Sequence, residues 1–220
     1  MFLIKTSEFI IREFNSSDFD KLFFIAQEIN KQANEKEGFK PFYAFQVDVN
    51  RKDYLNILAE KTKAFLKKAY LERMQENRKT YRLALCDSKG DLVGNITIDD
   101  IPSIDENGKK IQGDLGYFIN PKDGRKGLMS KALFEVLSLY FKTHDELDVT
   151  LHPNNLYSIK MMQRFNAKVV SFKSSSVYQN EPRIVLKILK RDFLNLRKSQ
   201  FIGRKKITLI SREKERIRDV

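Results

Sequence analysis

The sequence predicts a mixed α+β fold, a mostly antiparallel twisted sheet of about seven strands flanked by about four helices. Three observations carry this expectation. Short apolar runs with two-residue alternation recur along the chain, separated by stretches whose apolar residues fall at helical spacing. Two pairs of runs read as hairpins, one around DSKGD and one around SSS and NEP. Between them, the segment Gly113 to Phe141 reads as strand, turn and helix, and leads to a further strand, so it forms a crossover. The resulting order β, α, α, β, β, β, α, β, α, β, β mixes hairpins with one crossover. It is not the repeated βαβ unit of a dinucleotide-binding array.

The elements follow in order. The first strand runs roughly Phe9 to Phe14, and Asn15, Ser16 and Ser17 offer N-cap oxygens to the helix after it. Phe19, Leu22, Phe23, Ala26 and Ile29 form the apolar face of that helix. Lys31 to Asn50 is polar apart from the aromatic knot GFKPFYAF at residues 38–45, which reads as a long functional loop. A second helix spans roughly Lys52 to Asn77, with Tyr54, Leu58, Phe65, Leu66 and Leu71 apolar. Tyr81 to Cys86 and Leu92 to Ile98 are the first hairpin, its loop holding a Gly that tolerates positive φ. An acidic loop follows with Asp99, Asp100, Asp105 and Glu106.

In the central segment, Leu115, Tyr117 and Ile119 alternate with Gly116, Phe118 and Asn120, a strand apolar on both faces. Met129, Ala132, Leu133, Val136, Leu137 and Tyr140 then fall at helical spacing. Leu147, Val149 and Leu151 make the next strand, HPNN breaks it, and Asn155 to Phe165 is a short helix. Lys168 to Lys173 and Arg183 to Leu189 are the closing strands.

Composition excludes several classes. No run of about 18 apolar residues occurs, so no membrane-spanning helix is expected. The N-terminal MFLIKTSEFIIREF alternates and carries acids early, the pattern of a strand rather than a signal peptide. The single cysteine, Cys86, lies in an apolar run and reads as a reduced, buried filler. These features point to the cytoplasm. The formal charge is +12, and residues 197–220 carry +6 of it on nine Lys/Arg and three Asp/Glu. Such a basic tail can attract RNA, a ribosome or an anionic surface, or it can simply be a solvated tail.

Chemistry concentrates at the turn before the long helix. Free N–H groups of a helix N-terminus, the helix dipole and the cations Arg125 and Lys126 converge there, a setting for phosphate. Neither GxxxxGK[ST] nor GxGxxG occurs, so nucleoside triphosphate and dinucleotide cradles have no motif support. About 25 residues on, HPNNLYSIKMMQRFNAKVV ends a strand and opens a helix, with Asn155 and Ser158 three apart.

Together these two segments resemble the GNAT N-acetyltransferases, and within them the RimJ/RimL-like branch that acetylates ribosomal-protein N-termini. The family pattern GYxxxPxxRGKGxA is similar to GYFINPKDGRKGLM here, and HPxNxxSxxxxxKxGF to HPNNLYSIKMMQRFNA. The closing IVLKILKRDFL also fits, and the resemblance covers about Phe9 to Leu194. It implies an acetyltransferase domain over residues 1–196, with residues 197–220 as an appended basic tail. It implies acetyl-CoA as co-substrate and no metal.

The resemblance also assigns roles. The coenzyme would thread between the strands around 115–119 and 147–151, with its pantetheine on the edge Phe118, Ile119 and Asn120. Its pyrophosphate would lie on the N–H groups of Arg125, Lys126, Gly127, Leu128 and Met129. Asn155 and Ser158 would contact the pantetheine arm. The Ile119 N–H would hold the oxyanion. Asp114 aligns with an acid that many members place just before GY; it would act as general base through a water, or else be a loop-proximal carboxylate paired with a surface lysine. Many members use a tyrosine on the last helix as acid to the thiolate, and Met162 occupies that register here. Tyr157 reads as packed at a helix start, His152 as a strand-end residue and His144 as a helix cap.

Five positions depart from the pattern. Gly124 stands where the family has Gln/Arg, Arg125 where it often has Gly, and Asn166-Ala167 where it has Gly-Phe. Met129 replaces a small residue, and a flexible Met can turn outward there. Phe42, Tyr43 and Phe45 would wall the acceptor groove, or plug the core beneath the loop. The expected acceptor is the α-amine of a protein N-terminus, bound by a monomer or homodimer. A polyamine or aminoglycoside drawn by the acidic loop is the alternative within the same chemistry. A fold member that binds RNA or a ribosome without catalysis is the alternative outside it.

Overall fold

The computed structural model describes residues 2–35, 45–100, 103–104, 110–111, 113–175, 181–196 and 208–209. Among these lie strands β1 (Leu3–Lys5), β2 (Phe9–Glu13), β3 (Thr80–Asp87), β4 (Leu92–Asp99), β5 (Ser103–Ile104), β6 (Lys110–Ile111), β7 (Asp114–Ile119), β8 (Glu146–Leu151), β9 (Lys168–Ser175), β10 (Glu181–Leu189) and β11 (Thr208–Leu209). The helices are α1 (Phe19–Glu35), α2 (Tyr54–Arg73), α3 (Leu128–Tyr140), α4 (Leu156–Arg164) and α5 (Lys190–Leu194).

The seven expected strands are β2, β3, β4, β7, β8, β9 and β10, and they divide between two sheets. One sheet has the order β11-β1-β2-β3-β4-β7 and the other the order β8-β10-β9; β5 and β6 form a small ladder of their own. Every strand pairing described is antiparallel. The extra strand β1 arises from a tight turn at Thr6. Its hydroxyl accepts the N–H groups of Glu8 and Phe9, which folds Leu3–Lys5 back on β2. Of the basic tail, Thr208 and Leu209 pair with β1; its other residues lie outside those described.

α1 runs on to Glu35, beyond the point where the polar sequence suggested a loop, and α2 stops at Arg73, short of Asn77. The last strand ends at Leu189, as expected, and Lys190–Leu194 follows it as a short helix.

Side-chain alternation explains the layering. On β3, Leu83 and Leu85 enter the core beneath α3, whereas Ala84 and Cys86 enter the core beneath α1 and α2. On β7, Leu115 and Phe118 divide the same way. Both faces of the large sheet are therefore covered, which is why its strands read as nearly continuous apolar runs. Cys86 is fully buried, and desolvation pushes its thiol up to about 11.

Ion pairs brace the end of β2, inside this sheet. Arg78 forks onto Glu13 at 2.7 and 3.2 Å, and Arg12 forks onto Asp18 at 2.7 and 2.6 Å. Among the described residues no helix is long and apolar enough to cross a membrane.

Candidate active site

The site is a gap between two strands. β7 ends the large sheet and β8 ends the small one. Hydrogen bonds of Asp114, Tyr117 and Arg125 cross between the two sides. At the start of β7, Asp114 Oδ1 accepts the N–H of Leu115 at 2.9 Å and that of Thr150, on β8, at 3.1 Å. Midway, the Tyr117 hydroxyl donates to the Ser158 carbonyl on α4 at 3.5 Å. Beyond the end of β7, Arg125 Nη2 donates to the Tyr157 hydroxyl at 3.3 Å, with its guanidinium 5.8 Å from the ring centre.

The direction of the β7 peptides decides which groups can face a guest. The Asn120 N–H is donated to Val93 O, on the β4 side, at 2.7 Å. Peptide directions alternate along a strand, so the Phe118 peptide also faces β4, and those of Tyr117 and Ile119 face the gap. Gly94 confirms the packing on the β4 side: a Cβ there would lie 2.4 Å from Phe118 O. The expectation for the strand edge is corrected accordingly. The N–H groups of Phe118 and Asn120 are turned to the neighbouring strand, and those of Tyr117 and Ile119 face the gap. Asn120 instead caps the short turn Pro121–Asp123, its Oδ1 accepting the Lys122 N–H at 3.2 Å.

After that turn the chain winds into α3. Arg125 has φ +64° and Gly127 has φ +75°, both left-handed. Gly127 is the N-cap of α3, and no side chain caps that end. The first intrahelical donor here is Lys131, bonded to Gly127 O at 3.1 Å. The N–H groups of Leu128, Met129 and Ser130 precede it and remain for an anion.

Met129 does not turn outward: it is only 3% exposed and lies in the core beneath α3. The bulk that departs from the family pattern therefore sits behind the loop, not over it. Arg125 in turn adopts the backbone conformation that a glycine would take. Lys126 is held by Asp123 at 3.0 Å.

α4 is fixed at both ends by its own sequence. Asn155 is the N-cap, its Oδ1 accepting the Ser158 N–H at 3.1 Å. At the other end Asn166 has φ +59°, its N–H bonds Gln163 O and the Ala167 N–H bonds Met162 O. This is a Schellman closure, in which Asn serves where Gly usually would. Met162 is fully buried. Tyr157, expected to be packed, is 67% exposed and faces Arg125. His152 Nδ1 accepts the Asn154 N–H at 3.1 Å, a strand-end role. His144 caps α3, its Nδ1 3.1 Å from Tyr140 O.

On the acceptor side, Phe42 and Tyr43 lie outside the described residues. Phe45 is 0% exposed, 5.1 Å from the Phe65 ring and 5.8 Å from that of Phe118. It fills the core and does not line a groove. Buried Asn30 fixes it there, donating to Phe45 O at 2.8 Å and accepting the Val47 N–H at 2.9 Å. Asp105 and Glu106 also lie outside the described residues. Asp99 takes the Thr80 hydroxyl at 3.4 Å, and Asp100 lies 3.0 Å from His144 Nε2. The described acids of that loop are thus engaged within the protein. Among the described residues no group of His, Cys, Asp and Glu could hold a metal ion.

The sequence places the turn before α3 but does not reveal the crossing by Tyr117. No local signal marks that crossing, because the carbonyl it meets belongs to Ser158, 41 residues on.

Comparison with known proteins fits this geometry. The family model of the acetyltransferase (GNAT) domain matches residues 8–168. No curated protein sequence matches significantly. Among solved structures, Mycobacterium smegmatis RimJ in complex with CoA-disulfide aligns with TM-score 0.64 and 12% identity, over 91% of this chain and 90% of that one. RimL, described as a ribosomal L7/L12 alpha-N-protein acetyltransferase in complex with coenzyme A, aligns with TM-score 0.62 and 11% identity, over 85% and 97%. The ribosomal-protein-S5-alanine acetyltransferase of Vibrio fischeri aligns with TM-score 0.61 and 16% identity, over 87% and 98%. At these identities the likeness is one of fold.

Proposed function

The chain belongs to the GNAT acetyltransferase family, and we propose that it moves the acetyl group of acetyl-CoA to the α-amine of a protein N-terminus, as RimJ- and RimL-like enzymes do. One observation carries the reading: a gap between β7 and β8, with two β7 peptides facing into it, that leads to a helix N-terminus with no side-chain cap. A long, thin acyl carrier with a diphosphate at one end fits both parts.

In this reading the residues divide the work. The N–H groups of the 125–129 loop, with the cations Arg125 and Lys126, hold the diphosphate. The peptides of Tyr117 and Ile119 pair with the pantetheine amides and hold the carbonyl oxygen as it gains charge. Asn155 and Ser158 line the α4 side. Asp114 keeps β7 and β8 joined at the closed end, because the oxygen proposed as a base already holds two amide N–H groups.

That commitment bears on the acceptor. A protein α-amine has a pKa of about 7.7–8.0, so roughly a tenth of it is neutral at pH 7; a lysine near 10.4 offers only about 1 in 2,500. An enzyme in which Asp114 is a brace suits the α-amine. The engaged Asp99 and Asp100 also weaken the case for a polyamine or aminoglycoside. The inward Met129 and the glycine-like Arg125 weigh against a degenerate binding protein. The basic tail would serve to hold a substrate surrounded by RNA.

The test is acetyl transfer to N-terminal peptides, lysine peptides and polyamines, followed by released thiol. Cys86 does not disturb that readout, being buried with a raised pKa. N-terminal peptides should be turned over in preference to the others. Failure of the protein to bind acetyl-CoA at millimolar concentration, measured by calorimetry, would overturn the reading.

A further inference from the structure

Resting on the acetyltransferase reading, we propose that the Tyr117 hydroxyl is the O–H donor to the departing sulfur of the acyl donor. Thioester aminolysis puts negative charge on two atoms, the carbonyl oxygen and then the sulfur. The first is answered by the β7 peptides. The second needs a donor deep in the gap, and Met162, buried on α4, offers none.

Tyr117 is placed for this by three features. Its peptide faces the gap, two residues before Ile119. Its ring leaves β7 and its hydroxyl ends at Ser158 O, on the helix that follows β8. The hydroxyl therefore lies where the β7 side meets α4, beside the gap that the Tyr117 peptide faces. The ring packs against the core beneath α3, which fixes its position. At 3.5 Å, the bond to Ser158 is at the outer limit of a hydrogen bond, so a charged sulfur is the stronger acceptor. Burial pushes the phenol up to about 12, so the hydroxyl keeps its proton throughout the working range.

The step balances without oxidant or metal. The amine nitrogen forms a bond to the carbonyl carbon and releases one proton to water. The C–S bond breaks with its electron pair on sulfur. Tyr117 steadies that pair through its O–H and ends unchanged, while the sulfur takes its proton from solvent.

Tyr117→Phe tests this, because it keeps the ring and removes only the O–H. The expected result is a kcat lower by about ten- to hundred-fold, the range of one hydrogen bond to a charged group. The Kd for coenzyme A and the Tm should stay at wild-type values. With the selenoester analogue of acetyl-CoA, whose selenol is the more acidic leaving group, the deficit should shrink. A wild-type kcat in the variant would overturn the inference. So would an equal deficit with both donors accompanied by a lower Tm, which is what a purely structural tyrosine would give. If the wild-type protein neither binds coenzyme A nor turns over, the acetyltransferase reading itself fails.

Discussion

Replacing Arg125 separates the backbone of the cradle from its charge. The residue sits at φ +64°, where a residue with a Cβ is less stable by about 1–2 kcal/mol. Glycine removes that strain, but its freer unfolded chain costs about 0.5–1 kcal/mol. Either Arg125→Gly or Arg125→Ala also loses the exposed contact with the Tyr157 ring, worth about 0.5–1 kcal/mol. Arg125→Gly should therefore be close to wild type in stability. Arg125→Ala, which keeps the strain, should fall below Arg125→Gly by about 1 kcal/mol, or about 2–4 °C in Tm for a chain of this size. Both variants lose the same cation, so both should bind coenzyme A about tenfold more weakly, the effect of about 1.4 kcal/mol. Thermal unfolding and calorimetry on the three proteins give both answers. If Arg125→Ala is at least as stable as Arg125→Gly, the glycine-like account of this position is wrong. If both variants keep wild-type affinity, Arg125 does not face the diphosphate.

Two further substitutions probe the frame of the gap. Gly94→Ala puts a Cβ 2.4 Å from Phe118 O and forces β7 to shift, so stability should drop by about 1–3 kcal/mol and the KM for acetyl-CoA should rise; unchanged values would mean that β7 is not held at this point. Asp114→Asn keeps an oxygen that can accept the Leu115 and Thr150 N–H groups, so activity should stay within about threefold, whereas Asp114→Ala should lower the unfolding free energy by about 1–3 kcal/mol. A hundredfold loss in Asp114→Asn at unchanged Tm would make Asp114 the general base instead.

Much of the architecture was legible because it rests on periodicity. The alternation of Leu83 to Cys86 and of Leu115 to Phe118 announces strands covered on both faces, and the spacing of Met129 to Tyr140 announces α3. The end of α1 was not legible, since its last turns are polar and lack an apolar stripe. Nor was β1, which depends on a single threonine turn. The turn before α3 was legible as a motif, but its two unusual residues could be judged only in three dimensions. Met129 looks obstructive in the sequence because side-chain direction at a helix start depends on where the core lies. Arg125 looks foreign because φ is not written in residue type. Phe45 shows the reverse case: an aromatic in a functional-looking loop that buried Asn30 draws into the core. Tyr117 was hidden for a topological reason, since the partner of its hydroxyl lies 41 residues away on α4.

The central claim is that the gap between β7 and β8, continued by the N-terminus of α3, is where the acyl carrier lies. A crystal structure of the protein with coenzyme A tests it most directly. Pantetheine is expected between the two strands, hydrogen-bonded to the peptides of Tyr117 and Ile119, with the diphosphate on the N–H groups of residues 125–129. Coenzyme bound elsewhere, for instance in the open groove lined by Asp145, Leu189, Lys190, Arg191 and Leu194, would contradict it.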